Sequence, residues 1–231
     1  FFGAYEKFEG ANLFFRAPVG SGQPNIITGF TQAIYDQIVN GARTVYGIDD
    51  LGGTPTSNPT VDEKYLARLD WNINDRHRAA FTYNYAKGLN LTESDSNQVT
   101  QFEFGNHLYD RGAELKAYSG QLFSDWTDNF STEVRASYND VDATVKCRDG
   151  GTIGEVQIQF SGRTIFFGCD DSRHSNDLNY TVLSLKGKAN YRAGDHTLSV
   201  GAERQTYEVF NQFIQNTEGL FIFNSVASFL S

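Results

Sequence analysis

Two cysteines, Cys147 and Cys169, are the only ones in the sequence, and His174 follows the second closely. Thiolate and imidazole can share a zinc ion, but this spacing matches none of the paired-ligand patterns that build zinc sites, and no metal site is expected. A disulfide is the expected use. Closing a loop of this size is worth about 3 kcal/mol in the chain-entropy model, and it requires an oxidising compartment. Between the cysteines, "EVQIQFSGRTIFF" reads as a hairpin turning at Ser161-Gly162, so the bridge would tie its base. Glu93-Ser94-Asp95 and Asp170-Asp171 are oxygen-rich pieces of the kind that bind calcium. Neither offers a full ligand set such as an EF-hand loop, and solvated acidic loops are expected.

The four histidines, His77, His107, His174 and His196, are dispersed. No Ser/His/Asp set and no helix with paired histidines emerges, so no catalytic residue, cofactor or enzymatic activity is expected. Asp70, Glu133 and Glu203 fall in alternating stretches and suit a polar wall better than acid-base chemistry. Phe102, Phe104 and Tyr109 in "QFEFGNHLYD" have two readings: stacking on a sugar or siderophore, or packing between loops.

The elements that must position these residues are strands. The 231 residues include 22 Gly, 12 Tyr and 19 Phe against 4 Pro and no Met, a composition that favours strands and turns. A net charge of −9, with Lys and Arg scattered singly, argues against a nucleic-acid partner. Mean hydropathy is −0.44, and no run reaches the ~18 apolar residues of a membrane helix. A transmembrane β-barrel escapes that test, because it places its lipid face in every second residue.

In "KYLARLDWNINDRHRAAFTYNY", Tyr65, Ala67, Leu69, Trp71 and Ile73 share one face, and Lys64, Leu66, Arg68, Asp70 and Asn72 share the other. Asn74 to His77 turns, and Ala79, Phe81, Tyr83 and Tyr85 resume the alternation. The pattern recurs in "YSGQLFSDWTDNFSTEVRASY", which turns at Thr127-Asp128-Asn129, and in "TVLSLKGKANYRAGDHTLSVGAE", which turns at Arg192 to Asp195. With Phe1 to Phe8 these hairpins make seven strands. Long connections, about 10–62, 87–114 and 140–179, alternate strictly with the tight turns.

Soluble sandwiches rarely tolerate several long connections, whereas outer-membrane barrels combine short periplasmic turns with long extracellular loops. Trp71, Trp126 and Tyr191 each stand at or near the last strand position before a short turn, where an aromatic girdle meets the membrane interface. The expected fold is therefore all-β: part of an antiparallel transmembrane β-barrel in the outer membrane of a Gram-negative bacterium. Seven strands do not close a usual bacterial barrel, so they form one portion of a larger one. Ile27, Phe30, Ile34 and Ile38 in the first connection recur at helical spacing, with Thr28 as cap and Gly41 as stop. They predict a short helix over the barrel mouth.

Four segments, "FFGAYEKFEG", "IVNGARTVYGIDDLGG", "DEKYLARLDWNINDRHRAAFTYNY" and "HTLSVGAERQTYEVFNQFIQNTEGLFIFNSVASFL", resemble the TonB-dependent outer-membrane receptors. The resemblance is closest to the Oar-like branch, whose members carry a carboxypeptidase-regulatory-like domain. It implies a 22-stranded barrel around a plug, and import of a scarce ligand driven by the inner-membrane TonB energy-coupling complex. Neither the plug nor the coupling box is recognisable in this sequence, nor is a terminal aromatic. The expected partners are outer-membrane lipid, that complex and an extracellular ligand of unspecified class. Two other readings stand beside it: a passive porin or structural outer-membrane barrel, and a soluble β-rich binding module.

Overall fold

The computed structural model describes residues 1–13, 16–94, 99–148 and 151–231. In chain order its first elements are β1 (Phe2–Leu13), β2 (Ala17–Val19), β3 (Ile26–Thr31), α1 (Gln32–Tyr46), β4 (Ser57–Asn74), β5 (His77–Thr92) and β6 (Gln101–Glu103). There follow β7 (Tyr109–Thr127), β8 (Phe130–Cys147), β9 (Glu155–Phe160), β10 (Arg163–Phe167), β11 (Ser175–Ala193), β12 (His196–Ile214), β13 (Leu220–Phe223) and α2 (Val226–Phe229).

The seven long strands form one antiparallel sheet in the order β1-β4-β5-β7-β8-β11-β12. Each of its tight turns satisfies itself locally. Asn74 Oδ1 accepts the backbone N–H of both Arg76 and His77 at 2.9 Å, Thr127 Oγ1 accepts that of Asn129 at 3.3 Å, and Gly194 supplies a positive φ of 61°. Among the described residues β1 and β12 are paired on one side only, so the sheet is open. No described helix is long and apolar enough to cross a membrane.

Directly opposed residues of an antiparallel pair share a face, so the register defines rows across the sheet. One row runs Trp71, Ala79, Leu122, Val134, Gly187 and Ala202. The adjacent row, on the opposite face, runs Asp70, Ala80, Gln121, Arg135, Lys186 and Glu203. Charges on that face answer one another: Arg68 Nη2 lies 2.7 Å from Asp70, and the Gln121 amide, in its satisfied orientation, accepts from Arg135 Nε at 3.0 Å. The apolar face is bounded at both ends. At the turn end stand Trp71, Trp126, Phe130 and Tyr191, all exposed. At the other end the rings of Tyr5, Tyr65 and Tyr85 lie side by side, with centroids 4.8 and 5.5 Å apart, in a row that continues through Lys116 and Asp140. On β8 the apolar band runs from Phe130 to Tyr138, which matches the ~9–11 residues a tilted strand needs to cross a bilayer core.

Two features differ from the sequence reading. The strands run past the expected loop boundaries, β1 to Leu13, β5 to Thr92 and β8 to Cys147, leaving connections at 14–56, 93–108 and 148–174. Their outer ends carry polar residues on the face that is apolar nearer the turns, as in the pairs Glu114↔Asp142 and Asp110↔Lys146. The backbone ladder continues there although hydropathy no longer marks it. In β12 the alternation holds only for Leu198, Val200 and Ala202; beyond them Arg204 falls on the apolar face, and Tyr207 and Val209 on the polar one.

The long connections and the chain after β12 fold together into a cap. Its four-stranded sheet has the order β13-β9-β10-β6. The buried core lies in this cap, with Phe30, Ile38, Phe102, Phe104, Ile158, Ile165, Phe167 and Phe229 all inaccessible. The expected helix is present as α1, but shifted. Thr31, whose Oγ1 accepts the Ile34 N–H at 3.3 Å, caps it in place of Thr28, and Gly47 at φ 71° ends it in place of Gly41. Gly41 sits inside the helix because α2 packs against it: a side chain there would collide with Leu230. Ile27 and Phe30 belong to β3, and reach the same core from a strand.

The two faces predict unequal tolerance of charge. Val134→Arg, in the middle of the apolar band, should cost about 2–4 kcal/mol of folding stability in lipid vesicles, measured by urea titration. Ser137→Arg, on the polar face, should change it by less than about 0.5 kcal/mol.

Candidate functional site

The cap is where the structure gathers chemistry. Ser161 (φ 46°) and Gly162 (φ 73°) make the tight turn that joins β9 to β10, the backbone that a two-residue hairpin requires. Cys147, the last residue of β8, is bonded to Cys169, just beyond β10, at a sequence separation of 22 and a Cα–Cα distance of 5.4 Å. With its sulfurs bonded to each other, the pair cannot bind zinc with His174. That histidine instead latches backbone: Nε2 lies 2.8 Å from the Cys169 carbonyl, and Nδ1 accepts the Glu218 N–H at 3.1 Å. Between β10 and Cys169, Gly168 adopts a φ of 78° where a side chain would meet the Gly154 carbonyl. This close approach brings Asp170 against Glu155.

His107, Glu155 and Asp170 come from three different segments and meet inside the cap, each of them no more than 2% exposed. Their ligand-type atoms lie within 4.8 Å of one another. His107 Nδ1 is 2.9 Å from the Gly168 carbonyl oxygen, and the ring stacks on Phe166 with centroids 5.3 Å apart. Glu155 accepts from the Asp171 N–H at 2.7 Å and from the Gln157 amide at 2.6 Å. Burial pushes the Glu155 carboxyl above the usual carboxylate range, opposed by those two hydrogen bonds and by the nearby imidazole of His107. Asp170 accepts the Ser172 N–H at 2.9 Å and a bond from the Ser94 hydroxyl, with Arg173 Nε at 3.7 Å.

The other residues singled out in the sequence are spread over the molecule. Phe102, Phe104 and Tyr109 are buried: the first two pack edge to face at 5.1 Å in the cap core, and Arg173 lies over the Tyr109 ring at 4.7 Å. Their use is packing between loops, and they present no free ring to a ligand. Glu93 pairs with Arg16 at 3.6 Å, while Asp95 lies outside the described residues. Asp70, Glu133 and Glu203 remain on the polar face of the main sheet, with Asp70 2.7 Å from Arg68, Glu133 3.9 Å from Arg135, and Glu203 opposite Lys186. Trp71, Trp126 and Tyr191 lie at the turn end, where the Trp126 indole N–H donates to Thr132 Oγ1 at 2.9 Å and its ring meets that of His77 at 5.1 Å. Sequence reasoning missed the meeting of His107 with Glu155 and Asp170. One local signal existed: a glutamate opening a buried strand, and an aspartate just after a cysteine expected to be bonded.

An open antiparallel sheet with one apolar face, tight turns at one end and a packed cap at the other defines a portion of a transmembrane β-barrel. A family model for an outer membrane beta barrel domain matches residues 32–231, and the chain belongs to that family. No curated protein and no solved structure matches the chain. The protein is thus a multi-pass outer-membrane barrel. Barrels of this kind turn tightly on the periplasmic side and carry their long connections outside the cell, where conditions favour disulfides.

Replacing both cysteines, Cys147→Ser with Cys169→Ser, should lower the stability of the cap by about 3 kcal/mol through chain entropy. Hydrogen exchange should show faster opening of β9 and β10, with the exchange of β7 and β8 below the cap unchanged.

Proposed function

We propose that this barrel is part of a TonB-dependent receptor that binds a ligand at its extracellular surface and imports it with energy from the inner membrane. The observation that carries this reading is the cap. All the long connections contribute to it, through α1 and β3, β6, and β9 and β10, joined by β13 and α2 from the chain after β12, and they share one aromatic core. An ordered structure over the mouth suits a receptor that selects its cargo. A passive pore works better with an unobstructed entrance.

The resemblance of four segments to the Oar-like branch supports the same reading, as does the open sheet, which needs many further strands to close. The protein is a binder and carrier on this account, with no reaction of its own. The cap's buried imidazole and carboxylates are shut away from solvent, and the polar face of the sheet holds its charges in pairs such as Arg68–Asp70. A plug would occupy the lumen lined by that face. The ligand would meet the outer surface of the cap, and the energy-coupling complex would act on a part of the protein outside these strands.

Planar-bilayer recording of the full-length protein tests the proposal. A plugged receptor should show no stable open channel, and a lasting large conductance would make the protein a porin. Purification from membranes should also require detergent.

A further inference from the structure

We propose that His107, Glu155 and Asp170 form a divalent-cation site of the zinc type that pins the extracellular cap together. The inference is independent of the transport reading, because it concerns how the cap is held and not what passes beneath it.

The first argument is electrostatic. Two carboxylates that are 1% and 2% exposed lie with their oxygens within 4.8 Å of each other. Buried carboxylates need a cation nearby or must give up their charge. Arg173 approaches Asp170 at 3.7 Å and the His107 imidazole lies near Glu155, whose hydrogen bonds come from neutral groups, the Asp171 N–H and the Gln157 amide. A divalent cation between the carboxylates would neutralise both.

The second argument is the histidine tautomer, and it is independent of the first. His107 Nδ1 faces the Gly168 carbonyl at 2.9 Å. A carbonyl oxygen only accepts, so Nδ1 carries the proton, and in the neutral ring the lone pair lies on Nε2. A ring nitrogen bonded to a backbone carbonyl is how proteins orient a metal-ligating histidine. The carboxylates are oriented in the same manner by outer partners, the backbone N–H groups of Asp171 and Ser172. Stacking on Phe166 fixes the plane of the ring.

The donor set selects the ion. One imidazole nitrogen and two carboxylate oxygens suit zinc, which accepts such ligands in a four-coordinate site. Calcium takes about 6–8 oxygen ligands and has little use for imidazole. Since Asp170 follows the bridged Cys169 directly, ion and disulfide would act as two adjacent ties joining the β6–β7 and β10–β11 connections to the end of β8 and the start of β9.

The test uses the full-length protein in detergent, stripped with a chelator and then titrated with zinc by calorimetry, with bound metal counted by mass spectrometry. Wild type should bind one zinc more than the double variant His107→Gln with Glu155→Gln. Asp170→Asn should weaken that zinc by at least about 100-fold. Heat-modifiable mobility on gels reports whether each variant keeps its barrel. A second readout needs no variant: in wild type, chelation should speed tryptic cleavage within 148–174 at least tenfold, on the order expected when metal binding contributes to local folding. Zinc should restore resistance and calcium should not. Equal zinc uptake by wild type and the double variant would overturn the proposal, as would cleavage indifferent to zinc, or restored by calcium alone.

Discussion

In the hydrocarbon core of a bilayer no water is present to satisfy a peptide group, so every N–H and C=O must find its partner within protein. That constraint shapes this molecule more than any side chain does. It explains why the chain crosses in strands that are paired in succession from β1 to β12, and why its tight turns are closed by their own side chains, as at Asn74. It also gives the two outer strands their meaning. Their unpaired sides are incompatible with lipid, and the sheet is complete only as part of a larger closed wall.

The same constraint divides the work between main sheet and cap. The main sheet has almost no buried core of its own; its apolar side chains, such as Leu69, Val134 and Leu198, are exposed because lipid is their solvent. The cap faces water and is built like a soluble domain, around inaccessible phenylalanines and isoleucines. Its order does not come from size. A covalent tie at Cys147–Cys169 and a buried polar cluster of His107, Glu155 and Asp170 lie within it.

The main sheet was legible in the sequence for a physical reason. Period-two alternation is enforced by lipid on one side and polar groups on the other, and tight turns announce themselves through Asn, Asp and Gly. The cap was legible only in parts. The Ser161-Gly162 turn and the disulfide are local signals and could be read directly, and the helix was visible but misplaced, because Gly41 looks like a stop until α2 is seen to pack on it. The cap sheet could not be read. β6 and β13 are short and pair in parallel with distant strands, a contact that leaves no periodic trace. The buried cluster was hidden likewise, because its members lie on separate connections that only the folded cap brings together.

Amide hydrogen exchange of the full-length protein in lipid nanodiscs measures closure directly. If these strands belong to a larger closed barrel, the amides of β1 and β12 that point away from β4 and β11 should be protected as strongly as those of β8. Rapid exchange at alternate residues along β1 or β12 would show an open edge in the membrane, and would contradict the account.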